Sequence, residues 1–167
     1  MIAHRPYAEK SMGKIFLAIG LIFLAPIISF AQKTEDALFE EASVCIMQGD
    51  YDKASEKYQE AIAVDPQSVL AHQLLGITYG FQYAMTRNME FKQKQIETFL
   101  KALELDPEYW PAMTHLGMAY YAIGDKANAA RYLKRVLEIQ PKHPERVLYQ
   151  KVIAEAEKAA SEKPASK

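Results

Sequence analysis

Beside its carboxylates, the body of the chain has His72, His115, His143 and Cys45 as side chains that could ligate a metal or move a proton. A zinc site asks for several ligands at close spacing, such as two histidines one helical turn apart. The three histidines are instead spread along the chain. The sequence has no glycine-rich phosphate loop, and its Ser, His and Asp residues are scattered without a nucleophile arrangement. The acidic pairs Glu35-Asp36 and Glu40-Glu41 fit helix N-terminal charge and a solvated face. No catalytic, cofactor-binding or metal-binding residue is therefore assigned. The expectation is a protein that is not an enzyme and needs no cofactor.

What must position any binding surface is a set of repeated elements. Pro66, Pro107 and Pro141 are each preceded, five residues earlier, by Ala61, Ala102 or Val136. Three residues before those stand Tyr58, Phe99 and Leu133, and four before that Ala54 and Ala129 in two of the three stretches. Upstream, Leu75-Gly76 and Leu116-Gly117 are each followed by a tyrosine, Tyr79 or Tyr120. Gly49-Asp50 and Gly124-Asp125 read as tight turns, with glycine in a left-handed conformation and aspartate capping the next helix. Ser68 is placed to cap a helix and Pro111 suits a first turn. The prolines stop each second helix, because they lack an amide hydrogen and disfavour helix at the residue before them.

The spacing between Pro107 and Pro141 is 34 residues, and between Pro66 and Pro107 it is 41. A 34-residue helix–turn–helix period with Leu-Gly-x-x-Tyr, a later Ala, an aromatic, another Ala and a closing Pro resembles the tetratricopeptide repeat. The early Trp of that family is replaced by Leu38, His72 and Met113, and the first copy has Glu41-Ala42 in place of Leu-Gly. The resemblance implies an all-α, right-handed superhelix of three helix pairs with a capping helix. The pairs are expected at residues 35–68, 69–109 and 110–143 and the capping helix at 144–158. Residues 159–167, rich in Ser, Ala, Lys and Pro, are expected to be a disordered tail.

The seven extra residues of the second copy fall between Tyr79 and Phe99, where Gly-Asp is missing. Two helical turns need about 7.2 residues, so both helices of this pair are expected to be about one turn longer. The insertion is either tolerated without consequence or forms a tip that meets a partner through Phe81, Tyr83, Met85 and Met89. Cys45, the only cysteine, rules out an internal disulfide framework. It occupies the place of Tyr79 and Tyr120, so a buried, inert thiol is expected.

By the resemblance, the first helices of the pairs line a concave surface that in this family commonly receives a peptide. The candidate partner-binding residues are Phe39 and Met47 from the first pair, Leu70, Ile77 and Phe81 from the second, and Met118 and Tyr121 from the third. Met and aromatic side chains suit an adaptable apolar grip. Members that grip a C-terminal carboxylate use Lys, Asn and Arg at fixed groove positions. The matching positions here include Phe39, Ser43, Gln73, Ile77, Thr114 and Met118, so that clamp is not expected. The expected role is a scaffold that holds an apolar protein or peptide segment. Carriage of a small apolar ligand or lipid, and self-assembly, are the alternatives.

Arg5, Lys10 and Lys14 precede an apolar run from Ile15 to Phe30, and Ser29-Phe30-Ala31 supplies small residues for cleavage. This is the pattern of a secretory signal over residues 1–31. The run holds 16 residues with Pro26 inside it, short of the roughly 20 of a membrane span. Export to a bacterial periplasm or beyond is expected, with a retained inner-membrane anchor as the alternative. A membrane contact is expected only in the second case. The whole chain has a net charge of −1; without residues 1–31, which hold three of its Lys/Arg and one of its Asp/Glu, the net charge is −3. That mixed, mildly acidic balance argues against a nucleic-acid partner, which asks for clustered positive charge.

Overall fold

The computed structural model describes residues 34–162. The expectations for residues 1–31 and for the end of the tail lie outside them. Seven helices follow one another among the described residues: α1 Glu35–Gln48, α2 Tyr51–Val64, α3 Val69–Thr86, α4 Met89–Leu105, α5 Trp110–Ala122, α6 Lys126–Ile139 and α7 Arg146–Ser161.

The helix ends follow from local chemistry. Thr34, Asp50, Ser68, Asn88 and Asp125 each accept a hydrogen bond from a backbone N–H in the first turn of the helix they open, at 2.9–3.3 Å. Gly49 and Gly124 turn the chain at φ +76° and +83°. In the middle pair the left-handed position is taken by Arg87, at φ +56°, followed by the cap Asn88. Pro111 lies in the first turn of α5. The second helices end at Val64, Leu105 and Ile139, each two residues before its proline.

Helices consecutive in sequence pack on one another, and α3 also reaches α5. A core built this way is assembled pair by pair. Ala42, Tyr58, Leu75 and Tyr79 form one buried cluster; Leu38, Ala61 and Ala71 form a second beside it. Phe99, Ala102, Ala112 and Leu116 join the second pair to the third. Met113, Leu133 and Val136 meet Tyr149 and Val152 of α7, which closes the last core face. Leu38, His72 and Met113 are all buried in their first helices.

The middle pair has 18 residues in α3 and 17 in α4, against 13 or 14 in the flanking helices α1, α2, α5 and α6. Two expectations are corrected. Ala159, Ala160 and Ser161 belong to α7, not to a disordered tail. Alanine is the strongest helix former, and the Ser161 hydroxyl donates back to the Lys158 carbonyl at 2.7 Å. Cys45 is half-buried, not buried. Of the residues in the same register, Tyr79 is buried and Tyr120, like Cys45, is half-buried.

Candidate functional site

The first helices of the middle and third pairs carry no charged residue. Val69–Thr86 and Trp110–Ala122 contain no Asp, Glu, Lys or Arg. All seven candidate partner-binding residues stand on α1, α3 or α5. Met47, Leu70 and Phe81 are exposed, Met47 by 78 %. Phe39, Ile77, Met118 and Tyr121 are half-buried. Met47 and Phe81 share one register position, 34 residues apart, near the C-terminal ends of α1 and α3.

Their neighbours explain the difference. The Phe39 ring tilts against Tyr58 at 5.8 Å and packs beside two core clusters. Ile77 packs against the cluster around Phe99 and Leu116. Met118 packs against the cluster around Leu133 and Tyr149, and Tyr121 donates through its hydroxyl to Glu155 of α7 at 3.1 Å. That bond and Lys126 together hold the Glu155 carboxyl below its usual range. Phe81 stays on the surface with its ring stacked on Tyr51 at 5.2 Å. Met85 and Met89 are exposed beside the α3–α4 turn, and Tyr83 is half-buried there.

Beneath the exposed end of the middle pair lies a polar layer. In register, Gly80 stands where the flanking pairs have Ile46 and Tyr121, and Gln95 where they have Ala54 and Ala129. A β-carbon on Gly80 would fall 2.4 Å from Nε2 of Gln95. Large and small residues have changed sides. Gln95 Oε1 accepts from the Lys92 ammonium at 2.7 Å, and that ammonium lies 4.3 Å from the Tyr83 ring centroid. Lys92 is buried, and burial lowers its pKa. Gln82, also buried, donates to Asp52 of α2 at 2.6 Å. The Tyr109 hydroxyl donates to Gln73 and ties the start of α5 to α3.

The histidines sit in packing roles. His72 is buried with Nε2 3.4 Å from the Pro66 carbonyl. His115 stacks on Phe99 at 5.4 Å, and burial lowers its pKa. His143 packs between Trp110 and Tyr149. Among the described residues no group of three or more His, Cys, Asp or Glu side chains is gathered to hold a metal. Away from the candidate residues, one cleft of about 340 Å³ is lined by Ile62, His72, Leu75, Glu97 and Lys101 among others, and another of about 550 Å³ by Leu103, Met113, Arg131, Arg135 and Glu138 among others. Charged side chains border both.

Helix pairs with these turns, close approaches and closing prolines agree with known protein families. A family model described as TPR repeat matches residues 42–82, and one described as tetratricopeptide repeat matches residues 110–143. The described residues form an all-α tetratricopeptide-repeat solenoid. It is 30 % identical over 133 residues to tetratricopeptide repeat protein 37 of Xenopus laevis, covering 76 % of this chain and 8 % of that one. It is 30 % identical over 108 residues to the small glutamine-rich tetratricopeptide repeat-containing protein 2 of Saccharomyces cerevisiae, covering 65 % of this chain and 29 % of that one. The chain thus spans a small part of these curated relatives.

The first TPR of Spaghetti (RPAP3), bound to the HSP90 peptide SRMEEVD, shares the fold with a TM-score of 0.64 at 20 % identity, over 78 % of this chain and 96 % of that one. A thermophilic TPR protein of Thermus thermophilus matches with a TM-score of 0.62 at 20 % identity, over 89 % of this chain and 79 % of that one.

Proposed function

We propose that this solenoid is an exported scaffold that holds an apolar, uncharged segment of another protein along the inner face built by α1, α3 and α5. The observation that carries the reading is the chemistry of α3 and α5. They present Leu70, Ile77, Phe81, Met118 and Tyr121 with no Asp, Glu, Lys or Arg beside them on either helix. The fold itself is one whose solved relatives include peptide complexes, as with the peptide SRMEEVD on Spaghetti. That peptide carries two Glu and one Asp, and an acidic tail asks for charge-assisted donors. Here such a tail would meet apolar side chains and neutral amides. An apolar segment would gain from burying the same surface at about 25 cal/mol per Å².

Export is part of the proposal. It rests on the basic lead, the 16-residue apolar run from Ile15 to Phe30 and the small residues Ser29 and Ala31. Blockage of cleavage by Ala31→Pro, seen as a larger chain in the envelope fraction, is the expected outcome. A wild-type chain that stays in the cytoplasm at full length would contradict it.

The function is tested by in-cell crosslinking and affinity capture with the wild type and a Phe39→Glu, Phe81→Glu variant. A protein held by the wild type and lost by the folded variant is the expected result. Equal capture by both would overturn the assignment of the inner face.

A further inference from the structure

We infer that the two ends of the solenoid are made for each other, so that copies of this chain associate head to tail through α1 of one and α7 of the next. This goes beyond the groove, with which it shares Met47.

Ala71 of α3 packs on Leu38 and Ala61 of the preceding pair, and Ala112 and His115 of α5 pack on Phe99 of theirs. Leu74 and Thr78 continue the stripe of Ala71, and Ala119 that of Ala112 and His115. Ala71, Thr78, Ala112 and Ala119 are all buried. The same register on α1 gives Ala37, Glu40 and Val44, and here Glu40 and Val44 are exposed. At about 100° per residue Asp36, Glu40, Val44 and Met47 share one stripe. Val44 is exposed by 46 %. Among the described residues no element covers this face. Helix α1 carries four acids, Glu35, Asp36, Glu40 and Glu41, and no Lys or Arg. Asp36 and Glu40 make no ion pair among the described residues.

Tyr149 and Val152 of α7 face inward. The opposite stripe is Val147, Lys151, Ala154 and Lys158, all exposed. Val147 is exposed by 74 %, on a helix whose outer face a lone cap would keep polar. The acids of α7 are turned away. Glu155 bonds Tyr121 and Lys126, and Glu157 bonds Lys134 of α6. Lys158 reaches Glu162 at 3.8 Å, with both groups exposed. The free face of α7 is thus apolar at its start and basic toward its end.

Laid antiparallel, the faces complement each other. Met47 and Val44 meet Val147, and Glu40 and Asp36 meet Lys151 and Lys158. The antiparallel order also opposes the two helix dipoles. Because the contact joins different surfaces of each copy, it propagates along an open chain and does not close a dimer.

Sedimentation velocity of the full chain at rising concentration tests this with two charge-reversed variants, Asp36→Lys/Glu40→Lys and Lys151→Glu/Lys158→Glu. The wild type is expected to associate, and to do so less as salt rises. Each variant alone should associate at least about tenfold more weakly, since like charges then face each other. Mixing the two variants should restore association, because each supplies the end that the other needs. Far-UV circular dichroism checks that both are folded. A wild type that stays monomeric, variants that associate like the wild type, or folded variants that fail to associate when mixed would each overturn the inference.

Discussion

A β-carbon placed on Gly117 would lie 2.8 Å from Cγ of Leu133 and 2.9 Å from its Cδ2. The two helices of the third pair approach closely because one of them has no side chain at that point. Gly76 stands in the same relation to Phe99, at 2.7 Å. Gly117→Leu is therefore expected to destabilise the array by about 1–3 kcal/mol through overpacking. Urea unfolding followed by circular dichroism measures it. An unchanged midpoint would show that the close approach is not needed.

These glycines were legible in the sequence because they recur. So were the turns at Gly49-Asp50 and Gly124-Asp125, the cap at Ser68 and the helix stops before the three prolines. Each has a local cause, and the glycines of the first helices and the closing prolines recur at spacings of 34 or 41 residues. Burial within one register was less legible. Cys45, Tyr79 and Tyr120 share a register, yet only Tyr79 is buried. The burial of Lys92 was not legible, since lysine is ordinarily exposed and its place depends on how α3 and α4 continue past their usual length. One signal was available: Gln95 replaces the repeated alanine, and Gly80 across the pair gives up its side chain to make room. The absence of Asp, Glu, Lys and Arg from α3 and α5 was legible. How deeply Ile77 and Met118 sink was not, because that follows from contacts between pairs.

Arg87 holds a left-handed conformation, φ +56°, that the other two turns give to glycine. A side chain there costs roughly 1–2 kcal/mol. Arg87→Gly should recover up to about 1 kcal/mol, reduced by the freer unfolded chain and by loss of the guanidinium packed 5.9 Å from the Tyr83 ring. Thermal unfolding should shift upward. A lower melting temperature would show that the Arg87–Tyr83 contact outweighs the backbone strain.

Lys92 is buried with one neutral hydrogen-bond acceptor and one ring, and burial lowers its pKa. With the folded value below the ordinary 10.5, protonation opposes folding, and that penalty fades as pH rises from the lowered pKa to 10.5. Lys92→Met is expected to stabilise the fold at neutral pH by about 1 kcal/mol. The gain should shrink as pH approaches 10.5. A destabilised variant, or a gain independent of pH, would contradict the buried-charge account.

Tyr149 is fully buried and donates to Glu145 at 2.6 Å. Burial, with the Glu145 contact, pushes its hydroxyl up to about 12 from 10.0. The folded state thus favours the neutral phenol. Its contribution is whole below pH 10 and is lost as pH climbs from 10 to about 12. The loss amounts to about 2–3 kcal/mol. Tyr149→Phe should remove that part of the alkaline destabilisation, read as a flatter stability profile over the same window. An identical profile would place the alkaline transition elsewhere.

The central claim is that α3 and α5, which carry no Asp, Glu, Lys or Arg, hold an apolar segment, and its most direct test is a photoreactive phenylalanine analogue at Phe81, crosslinked in cells and mapped by mass spectrometry. The account predicts a crosslink to a segment of another protein that lacks charged residues, lost when Phe39 is changed to Glu. A crosslink to an acidic C-terminal tail, or none above background from a folded and correctly located protein, would contradict it.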